Sequence, residues 1–98
     1  KTGRLVSDST ARTLADMMSE NVEKTYGTSR FPNMELCAKS GTAEAGSDAR
    51  PHSWFTGFVD DADHPLAFVV VVENGGSGAS AAGSVAAKVL TAAAEAGY

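Results

Sequence analysis

Residues Glu35–Ala43 read ELCAKSGTA, and they are the first of three strand-like segments from which the fold class follows. The second segment, residues 53–60, alternates between two sets of side chains, and the third, residues 66–73, is almost entirely apolar. A continuous apolar run of this length is typical of a strand covered on both faces. The connection from Asp60 to Pro65 is short and rich in turn formers, whereas a parallel pairing would need a crossover of about a dozen residues. The three strands, over about 35–43, 53–60 and 66–73, are therefore predicted to form an antiparallel meander.

A helix is predicted on each side of these strands. Apolar residues recur every three or four positions between Ala11 and Tyr26, which predicts a helix over about 9–26 that ends at Gly27. An alanine-rich segment with the same periodicity predicts a second helix over about 79–96. The expected fold class is therefore α+β, an antiparallel sheet of three strands packed by an N-terminal and a C-terminal helix.

The composition excludes several classes of function. The chain has 98 residues and a formal charge of −4, so it offers no basic patch for nucleic acid. Cys37 is the one cysteine, and in a strand it is expected to be a small buried residue. The aspartates between the second and third strands indicate a solvated turn, and His52 and His64 are isolated. No metal site and no organic cofactor are implied.

Lys39, Ser40, Gly41 and Thr42 are the candidate site residues, at the end of the first strand. Successive side chains alternate across a strand, so Lys39 and Ser40 must point to opposite faces. Gly41 has no side chain and lets another backbone approach closely. This pattern favours a peptide-like ligand lying along an exposed rim from Leu36 to Thr42 and hydrogen-bonding to main chain, as an added strand would.

Three segments in this order carry a family resemblance: KSGTAE at 39–44, WFTGF at 54–58 and AFVVVVEN at 67–74. Together they resemble the C-terminal part of a penicillin-binding protein transpeptidase domain, and the likeness extends from about Val6 to Ala94. A Lys-Ser/Thr-Gly box is the third of three signatures of that family. The first, Ser-x-x-Lys, which carries the nucleophile, does not occur in this chain. Ser19-Glu20-Asn21 matches the second by letters only, inside the predicted first helix.

The resemblance implies a role for each residue of the box. Lys39 would support a proton network beside the absent serines and favour an anionic substrate. Ser40 and Thr42 would offer hydroxyls to the terminal carboxylate of a D-alanyl-D-alanine stem peptide or of a β-lactam, and Gly41 would keep the edge open. The Thr42 backbone N–H would be one oxyanion donor. Trp54 and His52 are expected at the border of the cleft.

The resemblance also implies an activity and a setting. The parent would be a peptidoglycan D,D-transpeptidase that crosslinks stem peptides through an acyl-serine intermediate and is acylated by β-lactams. It would act on the extracytoplasmic face of the bacterial cell membrane, with its anchor outside this chain. The 98-residue chain alone is expected to be inactive because it lacks the nucleophile. Its expected partner is the missing N-terminal part of the same domain; without it, a homodimer or an exchange of elements is expected.

Two alternatives remain open from the residues. The first is a β-lactam-sensing receptor domain of the same fold, which fused signalling sequence would reveal. The second is a nucleotide-binding βα module, because Gly76–Ala81 fits the letters of a dinucleotide-binding turn between a strand and a helix. That module requires a parallel βαβ unit, whereas a tightly packed strand-to-helix turn does not.

Overall fold

The fold is given by a computed structural model that describes residues 2–32 and 34–98, so Lys1 and Asn33 lie outside the description. Two α-helices flank three strands: α1 is Asp8–Asn21, β1 is Leu36–Ala43, β2 is His52–Val59, β3 is Ala67–Val72 and α2 is Gly83–Glu95. A π-helical turn, Val22–Tyr26, extends α1, and another, Gly78–Ala82, leads into α2. No helix among the described residues has the length and apolar character needed to cross a bilayer.

The strands form a single antiparallel sheet in the order β1-β2-β3. Ser40 lies opposite Phe55, and Phe55 lies opposite Val70, which fixes the register across the sheet. The predicted α+β class with an antiparallel meander is confirmed. Because every strand pairing in the described residues is antiparallel, the turn at Gly76–Ala81 does not belong to a parallel βαβ unit, and the nucleotide-binding alternative is wrong.

The end of the first helix departs from regular α geometry. Ser7 caps α1, since its side chain accepts a hydrogen bond from the Thr10 N–H at 3.2 Å. The wider π turn over Val22–Tyr26 closes with Gly27, whose N–H donates to the Val22 carbonyl at 2.8 Å and whose φ is 84°. A π turn brings residues five apart onto one face, and π turns occur often at functional sites.

The hydrophobic core lies on one face of the sheet. Phe55 is fully buried at its centre, with the Tyr26 ring edge-on at 5.1 Å and the Phe31 ring stacked at 5.8 Å between centroids. The remaining core side chains come from β1, β2 and the two helical segments on this face: Val22, Leu36, Ala38, Val59, Ala82, Ala86 and Leu90. Burying an aromatic ring with several partners contributes on the order of 1.5–3 kcal/mol for that side chain.

The opposite face of the sheet is open over β3 and the adjoining part of β2 in the described residues, whereas Cys37 of β1 is buried on that face. Trp54, Val69 and Val71 are 40%, 63% and 46% exposed on that face. The expectation that β3 is covered on both faces is therefore wrong for the chain by itself, because α2 and the π-helical turn before it pack on the other side. A contiguous apolar surface of this kind usually marks an interaction site.

Candidate active site

The Lys39–Thr42 box occupies the second half of β1, which is an edge strand of the sheet. Lys39 and Gly41 project toward the open face, and Ser40 and Thr42 toward the face that carries the core, because side chains alternate along the strand. Lys39 and Thr42 are exposed, and Ser40 and Gly41 are half-buried. The structure thus brings the four residues together as one short rim between the two faces.

The free edge of β1 is covered along its first half by side chains of the first helical segment. The Asn21 side-chain amide donates to the Ala38 carbonyl at 3.3 Å, and the Ser40 N–H donates to the Tyr26 hydroxyl at 2.7 Å. The expectation of an exposed rim from Leu36 to Thr42 is therefore wrong for residues 36–40. Backbone groups of alternate residues point to the same edge, so the Thr42 N–H is the next donor on it and has no hydrogen-bond partner among the described residues.

The lysine ammonium lies at this same edge. Lys39 Nζ donates to the Ser40 carbonyl at 2.6 Å, folding its side chain back over the strand. This carbonyl faces outward, as the Thr42 N–H does, because Ser40 and Thr42 are two residues apart. A positive charge beside an unpaired N–H and two hydroxyls is suited to an anionic ligand.

The two hydroxyls of the box are each held by a group of the protein. Ser40 Oγ accepts from the Tyr26 hydroxyl at 2.9 Å, and Thr42 Oγ1 accepts from the Gly78 N–H at 3.2 Å. Each hydroxyl keeps its own proton available for a further hydrogen bond. The arrangement can therefore donate two O–H bonds and one N–H bond to a ligand at the rim.

Gly78, in the turn before α2, packs directly against the backbone of the box. It is buried, and a Cβ placed on it would lie 2.7 Å from the Trp54 carbonyl oxygen and 2.9 Å from the Gly41 nitrogen. By contrast, a Cβ on Gly41 would meet only the Trp54 Cβ, at 3.4 Å. Of these two glycines, Gly78 therefore makes the closer backbone approach, and the turn packs against the strand, which agrees with the packing interpretation of Gly76–Ala81.

Trp54 and His52 lie on β2 beside the box. Trp54 pairs with Gly41, and His52 pairs with Ala43 at the end of the strand. The His52 Nδ1 accepts the Asn74 N–H at 3.0 Å, so this ring nitrogen joins the start of β2 to the turn after β3. When the ring is neutral, its proton therefore sits on Nε2.

The box lies apart from the cavity beside the first helical segment, and no cluster of metal ligands accompanies it in the described residues. A cavity of about 620 Å³ opens between the first helical segment and the loop before β1, lined by Val22, Phe31 and Leu36 among others, and the box does not contribute to it. In residues 2–32 and 34–98, no three histidine, cysteine, aspartate or glutamate side chains are grouped so as to hold a metal ion. The candidate site is an open strand edge.

Cys37, beside the box, is buried as the sequence predicts. Burial raises the pKa of its thiol, and the carboxylate of Asp60 adds to that effect. Arg12 ion-pairs with Asp60 at 3.0 Å, and their hydrogen bond raises the pKa of the guanidinium. A thiol held in its neutral form is a poor nucleophile, which agrees with a packing role for Cys37.

Sequence reasoning missed three residues of the site: Asn21, Tyr26 and Gly78. Asn21 and Tyr26 lie five positions apart, which does not place them on one face of a regular α-helix. Their meeting depends on the π turn, for which the sequence carries no clear signal. The sequence does carry a signal for Gly78, because this residue belongs to the glycine-containing turn Gly76–Ala81, for which close packing is expected.

Comparison with known proteins identifies relatives of this chain. A family model described as the penicillin binding protein transpeptidase domain matches residues 1–95. Peptidoglycan D,D-transpeptidase PbpA of Mycolicibacterium smegmatis is 37% identical over 87 residues, covering 86% of this chain and 18% of the relative. PbpA of Mycobacterium tuberculosis is 36% identical over 89 residues, with the same shares of the two chains.

A solved structure gives the same result for the fold. The crystal structure of PBPA from Mycobacterium tuberculosis matches 99% of this chain and 23% of its own, with a TM-score of 0.71 and 32% sequence identity. The chain therefore spans less than a quarter of the length of the relatives that it matches.

Proposed function

Because the chain belongs to the penicillin-binding protein transpeptidase family, we propose that it is the C-terminal part of a peptidoglycan D,D-transpeptidase and forms its substrate-binding wall. The observation that carries this proposal is the outward-facing Thr42 N–H on the free edge of β1. It has no partner among the described residues, and it lies beside the Ser40 and Thr42 hydroxyls and the Lys39 ammonium.

The substrate would lie along β1 beyond Ser40 as an additional antiparallel strand. Main-chain hydrogen bonds would hold it, as in other complexes in which a peptide extends a sheet edge. Its terminal carboxylate would accept the O–H groups of Ser40 and Thr42, next to the positive charge of Lys39. A D-alanyl-D-alanine stem peptide and a β-lactam both carry such a carboxylate.

The chemistry would be acyl transfer through a serine that lies outside this chain. That serine attacks the carbonyl of the penultimate D-alanine, the bond to the terminal D-alanine breaks, and an amine of a second stem peptide takes the acyl group. The Thr42 N–H would stabilise the negative charge on the carbonyl oxygen during both steps. Removing one such donor typically costs about 2.7–4 kcal/mol of transition-state stabilisation. Lys39 would orient the proton network around the serine.

The test is covalent labelling with a fluorescent penicillin, followed by intact mass, on the full-length protein and on the 98-residue chain. We expect one adduct on the former and none on the latter. Lys39→Ala should slow acylation about 10²–10⁴-fold, the usual loss for a group that supports proton transfer. Lys88→Ala, an exposed lysine on α2, is the matched control and should acylate normally.

Other outcomes would contradict the proposal in different ways. An adduct on the short chain would reveal a nucleophile within it. Acylation of Lys39→Ala at the normal rate would remove the lysine from the site. A full-length protein that is acylated but does not crosslink stem peptides would point to the β-lactam-sensing receptor.

The open face of the sheet would be covered by the rest of the same protein. Trp54, Val69 and Val71 form an exposed apolar surface on that face, and β3 leaves a second edge of the sheet unpaired among the described residues. Covering such a surface at about 25 cal/mol per Å² would contribute substantially to the stability of the whole domain. Because peptidoglycan is crosslinked outside the cytoplasmic membrane, the protein would act there, and its anchor would lie elsewhere in the protein.

The open face predicts the behaviour of the isolated chain. We expect it to self-associate, measured by light scattering after gel filtration, because this apolar face and edge favour pairing with another copy. A double change, Val69→Lys with Val71→Lys, should yield a monomer. The same change at Val85 and Val89, exposed on α2, should leave association unaltered. A wild-type chain that is monomeric at high concentration would contradict the expectation.

A further inference from the structure

Tyr26 is the side chain outside the box that makes the most hydrogen bonds to it. Its hydroxyl receives the Ser40 N–H at 2.7 Å, lies 2.9 Å from Ser40 Oγ, and lies 3.3 Å from the side-chain nitrogen of Asn21. The residue is only 6% exposed, so these three groups satisfy the hydroxyl with protein atoms. This cluster links the π turn to the rim of the candidate active site.

The three partners determine which way the protons point. A phenol oxygen accepts two hydrogen bonds and donates one. The Ser40 N–H is always a donor, and the Asn21 amide presents its NH₂ group here because the same nitrogen donates to the Ala38 carbonyl at 3.3 Å. Both accepting positions of the Tyr26 oxygen are therefore occupied. Its own proton must then be donated to Ser40 Oγ.

The direction of the Tyr26 proton determines whether the Ser40 hydroxyl can donate to a ligand. Since Ser40 Oγ accepts from Tyr26, its own proton is not needed for that contact and is free to be donated outward. A hydroxyl that acts as a donor suits a carboxylate, which only accepts hydrogen bonds. If Tyr26 instead accepted from Ser40, the hydroxyl would present a lone pair to the ligand and repel it.

We propose that Tyr26 is a positioning residue that sets the Ser40 hydroxyl as a hydrogen-bond donor toward the carboxylate of the ligand, through the Tyr26–Ser40–Asn21 cluster. This inference rests on the proposed function, since it assigns a cause to the recognition of an anionic ligand by the same site. The π turn makes the contact feasible, because its wider backbone brings residues five apart, such as Asn21 and Tyr26, nearer to one face than a regular α-helix does.

The competing explanation is that Tyr26 serves only to pack the core against Phe55. The substitution Tyr26→Phe separates the two, because it keeps the ring and removes the hydroxyl. The full-length protein would be acylated by a penicillin and by the methyl ester of the same penicillin, which lacks the negative charge. The measured quantity is the ratio of the two second-order acylation rate constants, acid over ester.

We expect Tyr26→Phe to lower this ratio about tenfold, the size of one hydrogen bond to a charged group. Ser40→Ala should lower it by a similar factor, and the double variant should fall no further than Ser40→Ala alone, because both changes remove the same interaction. Tyr98→Phe, at the exposed second tyrosine, is the matched control and should keep the wild-type ratio. Asn21→Ala should shift the ratio in the same direction by a smaller factor, which provides a second test if Tyr26→Phe folds poorly.

Two results would overturn the inference while the proposed function stands. One is a Tyr26→Phe protein in which both rate constants stay at the wild-type values while Ser40→Ala lowers the ratio. The other is an equal loss of both rate constants in Tyr26→Phe, which would show that the hydroxyl only supports the fold. A wild-type protein acylated by neither compound would overturn the proposed function, and the role of Tyr26 with it.

Discussion

The two halves of β1 differ in what covers them. Leu36–Ala38 is buried, and Asn21 occupies an edge carbonyl in that half. Lys39–Ala43 is half-buried to exposed, and its edge opens at Thr42. The same strand is therefore buried scaffold at its start and, in the proposed function, the binding surface at its end. Tyr26 marks the boundary, since it takes up the last covered N–H of the edge, that of Ser40.

The difference shows how a rigid element can carry an open site. An edge strand exposes unpaired backbone groups, which proteins usually cover or blunt. Here the helical segment covers the part of the edge that lies over the core and stops after Ser40, within the box. Because the box continues directly from the buried residues of the same strand, its backbone is held in place. This favours a precise alignment of its hydrogen-bond donors.

The largest effect on stability is expected in the buried half. Leu36→Ala should lower the free energy of unfolding of the full-length protein by about 2–5 kcal/mol, because it removes a side chain that is 5% exposed and leaves a cavity. Lys39→Ala, in the exposed half, should change it by no more than about 0.5 kcal/mol. Urea unfolding measures both. Equal losses in the two variants would show that the halves are not distinct.

A smaller effect on stability is expected at Gly78, in the turn that packs against the backbone of β1 and β2. Gly78→Ala would force a Cβ against the backbone of Gly41 and Trp54, so we expect a loss of about 1–3 kcal/mol together with slower acylation by penicillin. Gly83→Ala is the matched control, since a Cβ there meets only the flexible end of Arg30, at 3.1 Å. If Gly78→Ala lost stability without slowing acylation, the turn would support the scaffold alone.

The smallest effect concerns the pH dependence of the buried half. Burial raises the pKa of Cys37, so the folded state holds the thiol proton more tightly than the unfolded state, whose thiol titrates near about 8.5. The stability from this difference is complete below that pH and is lost as the pH rises toward the folded-state pKa. The fall in urea midpoint between neutral and alkaline pH should therefore be shallower for Cys37→Ala. An identical fall of the urea midpoint in both proteins would indicate that folding does not raise the pKa of the Cys37 thiol.

Much of the fold and part of the site could be predicted from the sequence. The short turn between the second and third strands predicts the antiparallel meander, and the three segments at 39–44, 54–58 and 67–74 together indicate the family. Both are local signals, written in consecutive residues. The hydrogen bonds that cover the edge at Ala38 and Ser40 could not be predicted, because they depend on where the fold places the Asn21 and Tyr26 side chains. Exposure of Val69 and Val71 could not either, since an apolar strand does not reveal whether the described chain or another part of the protein covers it.

Residue order and side-chain type are enough to predict which residues form strands, which carry polar chemistry, and to which family the chain belongs. The folded arrangement is needed to see how far the edge of β1 is open, that Gly78 lies against the backbone of β1 and β2, and which way the Ser40 hydroxyl donates. Those properties arise from contacts between residues distant in the chain, such as Thr42 with Gly78 and Ser40 with Tyr26. Packing and hydrogen-bond saturation set them, and neither is encoded in any one segment.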